Sequence, residues 1–451
     1  MALIVPPYQA PDEQHHFLRA YQISEGKLAA NWDNNVGRGE LPLSIFQTTE
    51  SFAALQHNIG TTSFAAIGDA LRIPLKPQIR VEYVLATAHY SPLSYLPQAI
   101  GIGIGRMMEW PPLVLMYLGR IFNLWAWMGL GYMALRIAPE FGRPLLLLIL
   151  MPMSLFMAAS VSPDAMINGL AFVVTALAFD AAIKKSGSEN SVVSWRWVAA
   201  FALSTAALAM AKAAYLPLAG LIFVVPATRF GGPKRFAKIL LVVVIANAGL
   251  VILWTRQTPG LDIVTYLGNP YVSARRQFDF LLGHPKALLL IPIASAQRDG
   301  LLVILSFVGR LGWLNIQLSP VFVVVYLALL LMACRPGTEG PTFSRTWRVA
   351  AVTAVVAIAS VEALLLLLDL IWTSVGSVRV DGLQGRYFIP IAAALLLFAV
   401  AVWGGLPTKF RSHRSESQRN LITALIVLAS WVYTVTLLYM HYYVSVGVGL
   451  V

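Results

Sequence analysis

A single cysteine, Cys334, in 451 residues excludes an internal disulfide framework and a thiolate-built metal site. Charge is scarce as well. Asp, Glu, Lys and Arg together make up 12% of the chain, about half the share of a soluble globular protein. There is no Gly-rich phosphate loop, no paired-cysteine motif and no basic stripe interleaved with aromatics, so neither a nucleotide site nor a nucleic-acid partner is indicated. Before Pro6 only residues 1–5 are apolar, too few for a signal peptide or a span. What is abundant is apolar: 58% of residues are hydrophobic and the mean hydropathy is +0.69. These values describe an all-α polytopic membrane protein in contact with a lipid bilayer. The net charge of +12 then reads as basic cytoplasmic loops.

The chain divides into a polar first part, residues 1–106, and a helical bundle, residues 107–451. The first part reads as an extracytoplasmic loop with short helices. Its last stretch, residues 91–105, is apolar but short and rich in Pro and Gly, which suits a helix lying on the membrane or re-entering it. Apolar runs follow at 113–137, 144–159, 163–183, 198–226, 239–254, 301–312 (broken by Arg310 and placed in an outer loop), 318–333, 349–372, 387–403 and 421–440. Placing the loops around Arg143, Lys184, Arg235, Arg335 and Arg411 in the cytoplasm makes the runs alternate, provided residues 198–226 cross twice with a hinge near Lys212. A single long helix there would set a lysine at the bilayer centre, at a cost of about 2.5–3.5 kcal/mol. The count is about ten spans, with further outer loops near 256–317 and 373–386. Asp164 and Lys212 also fall on the outer side.

The polar residues that carry chemistry therefore converge on one side. A helix starting near Asp12, after Pro11, would put Asp12, His16 and Arg19 on one face by i, i+3 and i, i+4 spacing, with Asp12 and Glu13 in its first turn. Such a face can do acid–base work, although local sequence alone favours a capped surface helix. Asp164 follows Pro163 at a helix start, where it is either a second outer acid or part of an N-terminal cap with Ser162. Arg386, next to Tyr387 at the outer end of a span, can fork onto a phosphate or snorkel to the interface. Lys212 can pair with a phosphate or with a carboxylate. Glu362 and Asp369 lie within a span and need a cavity or a partner.

The runs Pro6-Pro7-Tyr8-Gln9-Ala10-Pro11-Asp12-Glu13-Gln14-His15-His16-Phe17, Tyr90-Ser91-Pro92-Leu93-Ser94-Tyr95, Ser160-Val161-Ser162-Pro163-Asp164, Lys212-Ala213-Ala214-Tyr215-Leu216-Pro217, Gly309-Arg310-Leu311-Gly312-Trp313 and Gln384-Gly385-Arg386-Tyr387-Phe388 occur in order along nearly the whole chain. In them the sequence resembles a bacterial membrane family catalogued as domain of unknown function 2142, which in turn resembles the GT-C membrane glycosyltransferases. The resemblance implies a GT-C-like bundle in the bacterial inner (cytoplasmic) membrane. It implies transfer of a sugar from a polyprenyl-phosphate donor to an envelope glycan or lipid-linked acceptor on the outer face. It matches Asp12 or Glu13 to the catalytic acid of the first outer loop and Asp164 to a second acid; His16, one helical turn after Asp12, is placed to orient that acid. Arg19, Asp164, Lys212, Arg386 and Tyr387 would bind substrate. Some relatives use a divalent metal, and an oxygen-rich site built from Asp12, Glu13 or Asp164 would suit Mg or Mn. Such relatives usually carry a transmembrane helix before the first loop, so an upstream start encoding about 20 more apolar residues is expected. The rival reading is a transporter or flippase for a lipid-linked or anionic envelope precursor, which would show internal repeats with broken helices.

Single cysteines introduced beside Asp164 and Gln384 should label from outside the cell, and those beside Arg235 and Arg414 only after permeabilisation. Outside labelling at Arg235 would overturn the ten-span arrangement.

Overall fold

In the computed structural model, which describes residues 1–55, 62–183, 192–260, 269–337, 343, 345–406 and 415–444, the first segment is organised by α1, Glu13–Ser24. Asp12 sits at its start in the left-handed region (φ 60°), so the chain turns sharply out of Pro11 before the helix begins. Here the sequence, read as loops and short helices, hides a small sheet: β1 (Asn31–Asp33), β2 (Val36–Pro42) and, beyond α2 (Leu43–Glu50) and α3 (Phe64–Ala70), β3 (Arg80–Val84). The order is β1-β2-β3, antiparallel, with Asp33 opposite Val36. The turn between them is Asn34-Asn35, both at positive φ, which asparagine tolerates and tight hairpins require.

Tyr8, Phe17, Tyr21, Leu41, Ile45 and Phe52 bury one face of this segment against Tyr95 and Ile102 of the following stretch and Leu115 and Met116 of the first long helix. The stretch expected to lie on or re-enter the membrane is a 12-residue helix, α4 (Leu96–Met107). It folds back on α5 (Pro112–Ile137). Gly101 permits this contact: a Cβ there would lie 2.8 Å from the Leu118 carbonyl oxygen.

The remaining helices are α6 (Gly142–Ile149), α7 (Pro152–Ala158), α8 (Asp164–Ala182), α9 (Trp195–Ala211), α10 (Pro233–Thr255), α11 (Ala274–Gly283), α12 (Ala287–Gly309), α13 (Pro320–Ala333), α14 (Thr346–Ile371), α15 (Ile389–Gly405) and α16 (Glu416–Tyr443), with a two-stranded ribbon, β4 (Arg310–Leu311) and β5 (Ile316–Gln317), after α12. Among the described residues seven helical segments are long and apolar enough to cross a membrane, and three further apolar helices are shorter. The protein is an all-α polytopic membrane protein.

Three segments depart from straight spans. Pro139–Ile149 and Pro152–Ala158 meet at a 75° bend rather than forming one helix; Pro152 lacks the N–H and clashes with the preceding turn. Residues 198–226 do break at Lys212, whose backbone is extended (φ −157°, ψ 105°), but the second half is a 12-residue 3-10 helix, Ala213–Val224, with Pro217 inside it. α12, a 23-residue helix, occupies the stretch expected to be an outer loop. Gln297, Arg298 and Asp299 interrupt its apolar pattern. Its side chains reach the 380–385 segment: Val380 N–H donates to Ser295 Oγ, Gly385 N–H to Ser306 Oγ, and Arg298 pairs with Asp381 at 3.2 Å.

Helix ends meet on one face of the bundle, against the first segment. Ser94 donates to the Ala211 carbonyl at the end of α9, Trp254 of α10 to His89, Trp313 to Tyr8, and Thr62 to Tyr442 of α16. Arg229, Arg235 and Arg348 gather at the far ends, where Arg235 donates to Val193 and Arg348 to Phe223. The loops holding Lys184, Arg411 and Arg414, and part of 256–317, lie outside the described residues.

The first segment is fastened to the bundle by a fully buried ion pair, Arg120 Nη2 to Glu13 Oε2 at 2.6 Å. Every face of the guanidinium is engaged: Nε and Nη2 donate to Glu13, Nη1 to the Ala2 and Val5 carbonyls, and Nη2 also to Pro6. Glu13 takes a further bond from the Val161 N–H. Arg120→Met should lower stability by about 3–5 kcal/mol, since it strands a buried carboxylate. The double variant Arg120→Met/Glu13→Met should recover part of that loss. Thermal midpoints in detergent measure both, and a single variant as stable as the parent would dismiss the pair as a fastener.

Candidate functional site

Glu13 and Asp12 are neighbours in sequence but face opposite environments, because the helix begins between them. Glu13 is wholly buried on Arg120. The Asp12 carboxylate is 49% exposed and lies 3.6 Å from Arg386 Nη2. On the other side of that guanidinium, Asp164 Oδ2 lies 3.7 Å from Nη1. Asp164 is free to do so because Ser162 Oγ accepts the first N–H of α8, and the Asp164 carboxylate caps nothing. Residues far apart in the chain thus build one cluster, with Arg386 at its centre.

Arg386 is buried yet hardly satisfied. Nη2 makes a long bond of 3.4 Å to the Tyr387 hydroxyl, Nη1 reaches only Met157 Sδ at 3.8 Å, and Nε has no partner. Both carboxylates stand beyond hydrogen-bond reach. Asp164 Oδ2, the oxygen nearest that guanidinium, is buried without a hydrogen-bond partner. A buried group left so short of partners needs an explanation, since an orphaned donor costs about 1–3 kcal/mol, and more when charged. Arg120, whose donors are all in place, shows how this chain satisfies a structural arginine.

Lys212 adds a second cation. Its Nζ lies 4.3 Å from the centre of the Tyr387 ring and 5.7 Å from that of Tyr215, while the Arg386 guanidinium is 5.1 Å from the Tyr387 ring. The Tyr215 hydroxyl donates to the Tyr387 carbonyl at 2.8 Å, which ties the 3-10 segment after Lys212 to the start of α15. Two cations around one aromatic ring, flanked by carboxylates, are an arrangement whose chemistry suits an anion with a proton acceptor beside it.

Of the residues expected at the site, Asp12, Asp164, Lys212, Arg386 and Tyr387 come together. Arg19 does not: it is buried and donates to Gln22 and to the Leu28 and Tyr90 carbonyls, holding the first segment's own turns. Glu13 is withdrawn on Arg120. His16 lies at the edge of the cluster, its Nδ1 bonded to the Tyr95 hydroxyl at 2.8 Å, so it positions Tyr95 rather than Asp12. The supposed shared face of Asp12, His16 and Arg19 is not formed, because Asp12 precedes the helix in a left-handed conformation. Sequence reasoning missed Arg120 and His89, whose ring packs on Tyr90 at 4.3 Å. It weighed Asp369 only as a lone acid, whereas Gln277 of α11 donates to it at 2.7 Å.

The oxygen-rich metal site is not assembled. Glu13 is taken by Arg120, Asp12 and Asp164 are separated by a guanidinium that already carries the positive charge, and no group of three or more His, Cys, Asp or Glu could hold an ion among the described residues. These residues do not fit Mg or Mn.

Burial pushes the His16 imidazole down from 6.5 to about 3, with Arg386 and neighbouring histidines opposing the pull of Asp164. Burial, with Lys212 and Arg19 nearby, brings His89 to about 4. Both rings are therefore neutral at neutral pH. Unfolded, each takes a proton near 6.5 that the folded protein refuses until pH 3–4. The unfolded state then binds more protons across that window, so stability should fall as pH drops from 6.5 toward 4. The slope of thermal midpoint against pH should flatten in His16→Gln; an unchanged slope would count against a neutral buried His16.

No curated protein and no solved structure matches the chain. A family described as predicted membrane protein (DUF2142) matches residues 1–396. A match over most of the sequence, on a chain whose helices are built to cross a bilayer and whose polar residues gather at one face, places this protein in that family of membrane proteins, DUF2142.

Proposed function

We propose that the protein is a GT-C-like glycosyltransferase of the bacterial inner membrane, moving a sugar from a polyprenyl-phosphate donor to a glycan or lipid-linked acceptor at the outer face. One observation carries this reading: a buried arginine whose donors are mostly unengaged stands between two carboxylates, with Lys212 across the Tyr387 ring. The arrangement suits a phosphate held next to a proton acceptor.

In the proposed reaction Asp12 takes the proton of an acceptor hydroxyl as that oxygen bonds to the sugar's anomeric carbon. The bond from that carbon to the phosphate oxygen breaks, and its electron pair leaves with the polyprenyl phosphate. Arg386 and Lys212 stabilise the charge that develops on the leaving oxygen. Asp12 is assigned as the base because its side chain is 49% exposed, against 15% for Asp164 and 0% for Glu13. Its left-handed backbone directs it away from α1. Asp164 holds the far side of the Arg386 guanidinium.

Transfer of a labelled sugar from polyprenyl phosphate in proteoliposomes tests the assignment. Asp12→Asn should lower turnover by about 10²–10⁴-fold with little change in donor KM. Arg386→Ala should raise the donor KM as well as lower turnover. Near-normal turnover in Asp12→Asn alone would shift the base to Asp164. Near-normal turnover in both variants would remove the cluster from any transfer and leave a carrier for the lipid-linked precursor as the better reading.

A further inference from the structure

A second recess lies away from Arg386, between the first hairpin and the end of α10. It is an open cleft of about 380 Å³ lined by Ala29, Ala30, Trp32, Arg256, Gln257 and Thr258, among others. The indole is seated firmly. Trp32 Nε1 donates to the Gln257 carbonyl at 2.7 Å. Beneath the hairpin Gly37 lets the strand come so close to Ala88 that a Cβ would stand 2.3 Å from the Ala88 Cβ and 3.3 Å from the Trp32 ring. Beside the indole the wall is made of three consecutive polar residues, Arg256, Gln257 and Thr258, the last donating its hydroxyl to the Thr255 carbonyl.

We propose that this cleft binds the terminal sugars of a glycan. A sugar ring has an apolar C–H face and a rim of hydroxyls. A fixed indole meets the first, and the amide, hydroxyl and guanidinium meet the second. The volume is at the small end of ligand sites, which suits one or two sugar rings and is too little for a lipid chain. The cleft is also joined to the charged cluster. Trp254, three residues before Gln257, donates to the His89 carbonyl at 3.0 Å, and His89 adjoins Tyr90. Three residues span at most about 10 Å, and Tyr90 in turn packs on His16 at 6.0 Å, so a chain of direct contacts runs from the cleft to the first turn of α1. The cleft's role as the acceptor site rests on the transfer proposed above; its binding of sugar does not.

The test is saturation-transfer NMR on the full chain in nanodiscs, with maltotriose, mannotriose and chitotriose as probes. Transfer to at least one trisaccharide is expected, reduced at least tenfold in Trp32→Ala. Thr258→Trp fills the cleft from the α10 side with the hairpin sequence unchanged and should do the same. Silence from all three sugars, or undiminished transfer in both variants, would overturn the proposal. Because the readout is binding and not turnover, failure here leaves the Arg386 phosphate site standing, and failure of the Asp12→Asn assay leaves the cleft standing.

Discussion

The buried pair of Glu13 and Arg120 is the constraint on which the rest of the site depends. An arginine in an apolar helix is tolerable only if its charge and all its donors are met. Here they are met by Glu13 and by three carbonyls of the first six residues. The same carboxylate takes the Val161 N–H, in the turn that carries Asp164. One acid therefore fixes two others: Asp12 through the chain, Asp164 through the turn. The separation of these carboxylates about Arg386 is set by a group that touches neither.

The two buried arginines differ in how fully their donors are met. Arg120 is saturated, immobile and fully enclosed. Arg386 is enclosed to nearly the same degree but short of partners, with Lys212 as a second cation nearby. The low local dielectric that makes the first pair strong makes the second arrangement expensive while it waits. An anion arriving at Arg386 and Lys212 would find charges that need no reorganisation, which is the condition for electrostatic stabilisation of a leaving group.

Much of this was legible in the sequence. Composition sufficed for the class, and the loop-and-run pattern for the gathering of Asp12, Asp164, Lys212 and Arg386 on one side. What was not legible has physical reasons. Asp12 and Glu13 look interchangeable as letters, and only the helix start between them sends one out and the other in. Arg120 sits inside an otherwise apolar run, where a lone charge reads as noise until its partner is known. Arg19 has the spacing of a site residue but spends its donors on local carbonyls. α12 was hidden by the polar triplet 297–299, which breaks the apolar pattern yet is used to reach the 380–385 segment. The β1–β2 hairpin hung on two asparagines whose positive φ no periodicity announces.

The sequence separation of these contacts imposes an order on biosynthesis. Glu13 and Arg120 are 107 residues apart, so the first segment can dock as soon as α5 has entered the membrane. Arg386 emerges hundreds of residues later, which at about 5–20 residues per second means a delay on the order of tens of seconds. Through that interval Asp12, Asp164 and Lys212 exist without the guanidinium that stands between the two acids in the finished protein. The charged centre is therefore complete only once the segment carrying Arg386 has been made, although its first member is among the earliest residues made.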